Sequence, residues 1–427
     1  MHEIAGIRTP GAVASESPEK HPKLWQWKLE WLGQTAIEKL VGLLPGPLVF
    51  RLGEGIGGLA WHFMRSRRQI VLRNLRIAFA GEHDLPTLRI MARQSFRRTG
   101  ANLLSALRCV GLSSEEINSI VMVENPELVD SALTRSPGLV LLPSHMGNWE
   151  VLTRINRKLP PGHKTGAFYR PLNNPLLDAR VLAQRELDGT RLFSKRDSFH
   201  LVAGFLREGG ILGILADQRV GFQGELVRFF GRLTRASPLP SLIARRSKSQ
   251  VLAMSVITES PGKWRIRYHS LDGRTRTASC VDAIEHALKA SPLDYFWLQE
   301  RWKVYVGPTR PIRNWLGSDS CGEGKPHRAL LWLPGTPVSW EIPEEWTHPD
   351  VIYEVVPHRD GPIPARSYGN LYLHAGPDRD DRDSLAAFLE KIDASAALPI
   401  DYILTCKASK ALVKAARLNS IPLVSLP

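Results

Sequence analysis

The sequence predicts an α/β protein in which short buried strands alternate with helices. An apolar run at 138–143 is too short for a helix, and it is followed by a Gly-containing turn and an amphipathic segment. A second apolar run, at 212–216, ends in polar residues. Beyond residue 328, short apolar runs alternate with helix-like segments. That last pattern is typical of a small parallel α/β module.

Length and composition indicate a globular protein of two or three domains. The chain has 427 residues, of which 43% are hydrophobic and 23% are charged. The predicted organisation begins with a disordered lead (1–23), interfacial helices (24–64) and the main domain (65–309). A linker rich in Pro, Gly and Ser (310–327) and an accessory α/β module (328–427) follow.

The net charge of +14 is distributed unevenly along the chain. Residues 320–427 carry 11 Lys and Arg against 14 Asp and Glu, a net charge of −3, so the rest of the chain carries +17. A basic surface of this size suits an anionic partner, such as nucleic acid, an anionic bilayer or an acidic carrier protein. Two local candidates are 65–98, with nine arginines against two acids, and 226–258, with six basic residues and no acid.

Residues 24–64 are rich in Trp and Leu, but their longest uncharged run, at 40–50, has only eleven residues. A bilayer-spanning helix needs about 20. The segment therefore predicts either helices that lie in the membrane interface or two ordinary core helices. The first 22 residues lack the pattern of a secretory signal.

The four cysteines are scattered through the chain, so they predict neither a disulfide framework nor a zinc site and fit a reducing compartment. They are Cys109, Cys280, Cys321 and Cys406.

His145 and Glu150 follow the strand at 138–143, where open α/β sheets usually carry their chemistry. On one regular helix they would lie about 140° apart, so they converge only if His145 is in the turn and Glu150 in the first helical turn. There the carboxylate is expected to accept the imidazole N–H and leave the other ring nitrogen free as a base. The spacing alone is weak, because a structural histidine at a strand end is common.

The string at 145–150 (His-Met-Gly-Asn-Trp-Glu) resembles the dyad of bacterial lipid A late acyltransferases. Similar blocks follow in the family's order: Tyr-Arg-Pro-Leu-Asn-Asn-Pro at 169–175, Asp-Gln at 217–218 with Phe-Phe-Gly at 229–231, and an expected aromatic helix that ends in Arg-Trp-Lys at 301–303. The family usually has His where Gln299 stands, which puts any proton transfer there in doubt.

The resemblance implies a mixed sheet flanked by helices and an enzyme on the cytoplasmic face of the bacterial inner membrane. It implies acyl transfer from a thioester, with acyl carrier protein or acyl-coenzyme A as donor, to a hydroxyl of a lipid A precursor or related lipid. His145 and Glu150 would be catalytic, with no cofactor or metal ion. Substrate contacts are expected from further polar residues of these blocks: Asn148, Arg170, Asp178, Arg185, Asp217 and Gln218.

Several alternatives stay open at this point. Arg170 could bind a phosphate or form an ion pair with Asp178. Water in place of the acceptor hydroxyl would make the enzyme a thioesterase or lipid hydrolase, and another glycolipid or a lysophospholipid could be the acceptor. A nucleic-acid-binding protein is disfavoured, because aromatic residues are not interleaved with the basic runs.

Overall fold

A computed structural model describes most of the chain, and the following ranges are covered: 23–194, 196–220, 223–302, 325–334, 351–357, 371–377 and 379–425. The predicted disordered lead, apart from its last residue, lies outside these ranges. So do Cys321 and residues 310–324 of the predicted linker.

Four helices come first: α1 (Leu24–Gly42), α2 (Gly46–Phe63), α3 (Arg65–Phe79) and α4 (Leu85–Cys109). Helices α2 and α4 approach so closely that a Cβ atom on Gly57 would lie 2.1 Å from the carbonyl oxygen of Phe96. Glycine is therefore required at this crossing. Among the described residues, no helix combines the length and the apolar composition needed to span a membrane.

The main domain contains a mixed sheet flanked by helices, as the sequence predicted. Its strands are β1 (Val121–Val123), β2 (Leu139–Pro143), β3 (Thr165–Phe168), β4 (Arg191–Phe193), β5 (Ile211–Gly213), β6 (Glu225–Phe229), β7 (Arg232–Ala236), β8 (Gln250–Ser260) and β9 (Lys263–Ser270). Its later helices are α5 (Ser114–Ile120), α6 (Glu127–Arg135), α7 (Pro175–Glu186), α8 (Phe199–Arg207), α9 (Leu239–Ser247) and α10 (Thr277–Lys289).

The described strands of the main sheet run in the order β1-β9-β8-β2-β5-β3-β4, while β6 and β7 form a separate hairpin. Only β8 and β9 pair in antiparallel fashion within the main sheet. Strands β2 and β5 are parallel neighbours, so the residues after their carboxyl ends meet at one edge of the sheet.

Two segments differ from the predicted helices. The segment after the first loop forms 3-10 helices at Trp149–Arg154 and Asn156–Lys158, not an amphipathic α-helix. The expected aromatic helix is limited to a 3-10 turn at Pro292–Asp294, after which residues 295–302 are non-helical. The physical reason is that their backbone groups bond elsewhere: the Phe296 N–H donates to the carbonyl oxygen of His145 at 2.8 Å.

The C-terminal module is a separate α/β unit, as predicted. Its strands are β10 (His327–Trp332), β11 (Val351–Val356), β12 (Leu371–Leu373), β13 (Ile400–Thr405) and β14 (Leu423–Ser425), and its described helices are α11 (Arg382–Ala394) and α12 (Lys410–Leu418). The strands are all parallel, in the order β12-β11-β10-β13-β14. Alternating apolar runs and helices predicted this arrangement because each parallel crossover needs a long connection.

The module packs against the main domain through buried ion pairs. Arg232 of β7 is fully buried and pairs with Asp401 of β13. Arg76 of α3 pairs with Asp393 at the end of α11 and donates to the carbonyl oxygen of Ala397 at 3.1 Å. The module is thus bound to the main domain by side-chain contacts in addition to the covalent connection.

Candidate active site

The loop after β2 is held in place by the segment that follows residue 293. Gly147 has a φ of +58°, and a Cβ atom there would lie 2.2 Å from the carbonyl oxygen of Val256, so the position needs glycine. The Gly147 N–H donates to the carbonyl oxygen of Asp294 at 2.9 Å, and Met146 forms an isolated antiparallel bridge with Tyr295. These bonds fix the backbone directly after His145.

The side chain of His145 is hydrogen-bonded to Asp217, which follows β5. The Nδ1 atom lies 2.8 Å from Oδ1 of Asp217, and the backbone N–H of His145 donates to Oδ2 at 3.2 Å. An ionised carboxylate only accepts hydrogen bonds, so Nδ1 carries the proton and Nε2 has a lone pair. The amide nitrogen of Gln218 lies 3.2 Å from Nε2. This is the geometry of a neutral imidazole that can take a proton at Nε2.

The expectation that Glu150 accepts the ring N–H is wrong. Glu150 lies in the first 3-10 turn, as predicted. Its carboxylate, however, accepts two hydrogen bonds from Nη2 of Arg185 and another from the indole N–H of Trp149. The distances from Arg185 Nη2 to the two oxygens are 2.9 and 3.0 Å, and the Trp149 bond is 3.1 Å. Asp217 reaches Nδ1 instead, because β5 is the parallel neighbour of β2.

Both carboxylates nevertheless act on the charge of His145. Burial by itself lowers the pKa of the imidazole, but the charge and hydrogen bond of Asp217, with a further contribution from Glu150, raise that pKa above its ordinary value. Burial would likewise raise the pKa of Asp217, and the interaction with His145 keeps it below its ordinary value. The site therefore stabilises an imidazolium next to a buried carboxylate.

Asp217 is supported by Tyr295 and Gln299. The amide nitrogen of Gln299 donates to Asp217 Oδ2 at 3.3 Å and to the hydroxyl of Tyr295 at 2.6 Å. Tyr295 is fully buried, and burial followed by the charge of Asp217 raises its pKa well above the ordinary value. Tyr295 stays a neutral hydroxyl, and Gln299 supports the carboxylate of Asp217 through its side-chain amide.

An apolar cleft lies next to Trp149, whose ring contacts the ring of the histidine. The ring of Trp149 lines it and lies 5.2 Å from the ring of His145, centroid to centroid. The cleft runs between the main sheet and the 3-10 helices, and its apolar walls include Leu141, Leu152, Phe168, Leu215 and Met254. A hydrocarbon chain fits walls of this kind, because burying apolar surface is favourable.

Comparison with known proteins identifies the family. Residues 17–304 match the family described as bacterial lipid A biosynthesis acyltransferase. The chain belongs to this family. It is 26% identical over 294 residues to the lipid A biosynthesis lauroyltransferase of Escherichia coli K12. The aligned region covers 66% of this chain and 93% of that protein. It is 24% identical over 307 residues to the palmitoleoyltransferase of the same organism, covering 68% of this chain and 94% of that protein.

The chain is therefore an acyltransferase of the lipid A biosynthesis family. The resemblance that its motif blocks suggested is confirmed. Within the described ranges, no group of three or more His, Cys, Asp or Glu side chains is placed to hold a metal ion.

The remaining predicted site residues of this acyltransferase lie in different environments. Asn148 is 1% exposed and its amide donates to the sulfur of Cys109 at 3.4 Å, so it points into the protein rather than to a substrate. Asp178 accepts the backbone N–H of Leu172 at 2.8 Å, and no ion pair joins it to Arg170 in the described part of the chain. Arg170 is exposed after β3.

Three arginines of the basic stretch at 226–258 do not form a surface beside the active site. Arg232 is buried against Asp401. Arg245 and Arg246 are exposed at the end of α9, directly before β8, whose first residue pairs with the first residue of β2. They lie at the amino edge of the sheet, whereas His145 follows the carboxyl edge. Position along the sequence could not distinguish these two edges.

Asp217 was predicted as a substrate contact, and its bond to His145 was not foreseen. The signal was present, since Asp217 follows a buried strand as His145 does. What local patterns did not indicate is that β5 lies directly beside β2. Nothing in the sequence marked Tyr295 as a support for Asp217, apart from its place in an aromatic segment.

Proposed function

We propose that this acyltransferase moves a fatty acyl group from an acyl thioester, with acyl carrier protein as the donor, to a hydroxyl of a lipid A precursor. The observation that carries the proposal is the environment of His145. Its Nδ1–H is bound by a buried carboxylate and its Nε2 is available as a base. The ring of Trp149, 5.2 Å from the ring of His145, lines an apolar cleft. Acyl transfer requires a base and a chain-binding cleft together.

In the proposed reaction, the acceptor hydroxyl displaces Gln218 from Nε2 of His145 and donates its proton there. The hydroxyl oxygen attacks the thioester carbon, and the carbonyl oxygen becomes an oxyanion. When this tetrahedral intermediate collapses, the C–S bond breaks and the imidazolium returns the proton to the leaving sulfur. General-base help of this kind is worth about 10²–10⁴-fold in rate, and Asp217 stabilises the imidazolium that forms in between.

The oxyanion needs a donor, and the Gly147 N–H does not supply it. That N–H is already bound to the carbonyl oxygen of Asp294 at 2.9 Å. Gln218 is exposed, and its amide lies 3.2 Å from the nitrogen that receives the proton. We assign the oxyanion contact to this amide, because a donor beside the developing charge lowers the barrier.

Glu150 acts in this proposal through its charge. It contributes to the raised pKa of His145, and it orients Arg185 by the two-pronged ion pair. Arg170, exposed at the same edge of the sheet, binds a phosphate of the carrier's phosphopantetheine or of the glycolipid acceptor. Asp178 keeps the loop that carries Arg170 in place through its bond to the Leu172 N–H.

The enzyme is proposed to attach peripherally to the cytoplasmic face of the inner membrane through α1 and α2. One face of α2 packs on α4 through Val49, Phe50, Gly53 and Gly57. The opposite face exposes apolar side chains at helical spacing: Leu48, Leu52, Ile56, Leu59 and Phe63. Trp25 on α1 and Leu43, directly after α1, are 68% and 84% exposed. An outward apolar face of this kind suits an interfacial helix.

The direct test uses the purified full-length chain with an acyl-carrier thioester, a lipid A precursor and anionic vesicles. Mass spectrometry should show the acylated precursor, and His145→Ala should abolish its formation while thermal unfolding stays within a few degrees of the wild type. Release of free fatty acid without an acylated lipid would instead indicate a hydrolase. Retention of turnover by His145→Ala would refute the mechanism.

A further inference from the structure

Residues 295–302, here called the bracing segment, contact the active-site residues directly. Tyr295 and Gln299 support Asp217, and the Phe296 N–H donates to the carbonyl oxygen of His145 at 2.8 Å. A displacement of this segment therefore moves the base and its carboxylate together. Misplacement by about 1 Å can reduce an enzymatic rate about 10²-fold.

The bracing segment is held from outside by α3 and β7. On α3, the side-chain amide of Asn74 donates to the carbonyl oxygens of Trp297 and Gln299, each at 2.7 Å. On β7, the hydroxyl of Thr234 donates to the carbonyl oxygen of Arg301 at 2.9 Å. The position of the segment thus depends on the positions of these two elements.

The same two elements carry the contacts to the C-terminal module. Arg73, directly before Asn74, has its guanidinium 3.8 Å from Asp393 and 3.7 Å from Asp401. Arg232, two residues before Thr234, pairs with Asp401 and is fully buried. Each element that holds the bracing segment is therefore joined to the module by an ion pair one or two residues away.

Electrostatics make these contacts specific to the module's two aspartates. Burial would raise the pKa of Asp401, but Arg232, His327 and Arg73 lower it to about 2. Asp401 is therefore ionised and supplies the charge that the buried guanidinium of Arg232 requires. Without that charge, Arg232 would be a buried cation with no counter-ion, which is a strongly unfavourable state.

We propose that Asp393 and Asp401 are positioning residues for acyl transfer. Through Arg73 and Arg232, they fix α3 and β7, and so the bracing segment and the pair His145–Asp217. The module lies beyond residues 17–304, which match the family, so this chain adds a brace to the shared catalytic domain. The role of the brace rests on the proposed function, but its structural effect is measurable without turnover.

The experiment compares full-length Asp401→Asn and Asp393→Asn with Asp383→Asn as a matched control. Asp383 also lies in the module, but it is exposed, and its one ion pair among the described residues is with its neighbour Arg382. Hydrogen exchange of the amides at 295–302 and 144–147 is measured beside kcat and KM. Asp393 is the more exposed of the two interface carboxylates, so its variant serves if Asp401→Asn does not fold.

Faster exchange at 295–302 and 144–147 is expected in both interface variants, with kcat about tenfold to a hundredfold lower and KM within about twofold. The control should match the wild type. Unchanged exchange at 295–302 with unchanged kcat, even where exchange rises within 325–425, would overturn the proposal. If the wild type transfers no acyl group, the proposed function fails, while the exchange comparison still decides whether the module braces the segment.

Discussion

The Nδ1 atom of His145 lies 2.8 Å from a carboxylate oxygen of Asp217, a residue 72 positions further along the chain. Glu150, five positions away, instead forms an ion pair with Arg185. The buried carboxylate that selects the tautomer of the histidine thus comes from the neighbouring strand of the sheet. The nearby carboxylate contributes charge without a direct bond to the ring.

Asp217→Asn should reduce kcat more than Glu150→Gln does. An asparagine can present its NH₂ group to Nδ1 and so stabilise the wrong tautomer, a change that costs about 10⁴-fold in a comparable triad. Glu150→Gln removes only a more distant charge, so a smaller loss is expected. Steady-state kinetics of both variants, with circular dichroism as the control for folding, check this order. A larger loss in Glu150→Gln would show that Glu150 is the principal partner after all.

The pH dependence should report the raised pKa of His145. A raised pKa keeps the ring protonated to higher pH, so the basic form and kcat/KM should rise as pH increases through a value above 6.5. Glu150→Gln removes one of the charges that raise this pKa, so the rising limb should move to lower pH. A pH–rate profile of both proteins measures the shift. If the rising part of the pH–rate profile stays at the same pH in Glu150→Gln, Glu150 has no effect on the pKa of His145.

Narrowing the apolar cleft should shorten the acyl chain that the enzyme accepts. Gly213 lines the cleft, and a Cβ atom there would lie 3.7 Å from the carbonyl oxygen of Gly166, so a larger side chain can enter the open space. We expect Gly213→Leu to lower kcat/KM for long acyl donors more than for short ones. Gly204→Ala on α8, where a Cβ atom meets nothing within 4 Å, is the control. Equal loss for all chain lengths would place the acyl chain elsewhere.

Membrane attachment should depend on the outward face of α2. Ile56 is 56% exposed on that face, and Ile56→Glu replaces an inserted apolar side chain by a charge. The loss is about 2 kcal/mol or more, which is more than tenfold in affinity. Sedimentation with anionic vesicles measures it. Met122→Glu, at an exposed apolar position on β1, is the control, and equal weakening by both variants would argue against insertion of α2.

The sequence by itself determined the local elements and the family. The apolar runs predicted β2 and the parallel strands of the C-terminal module, because burial and chain direction are encoded within a few residues. The string at 145–150 placed a histidine at the carboxyl end of a strand, where the structure has it. The motif blocks indicated a lipid A acyltransferase, and the family match confirms this.

Only the tertiary structure decided which groups meet. Asp217 reaches His145 because β5 is the neighbour of β2, and local periodicity carries no information about strand order. Residues 295–302 were expected to be helical, yet their backbone groups bond to the His145 loop and to Asn74. The pairing of Arg232 with Asp401 joins residues 169 positions apart. These contacts form where distant segments pack together, so their partners are fixed by the fold and not by sequence spacing.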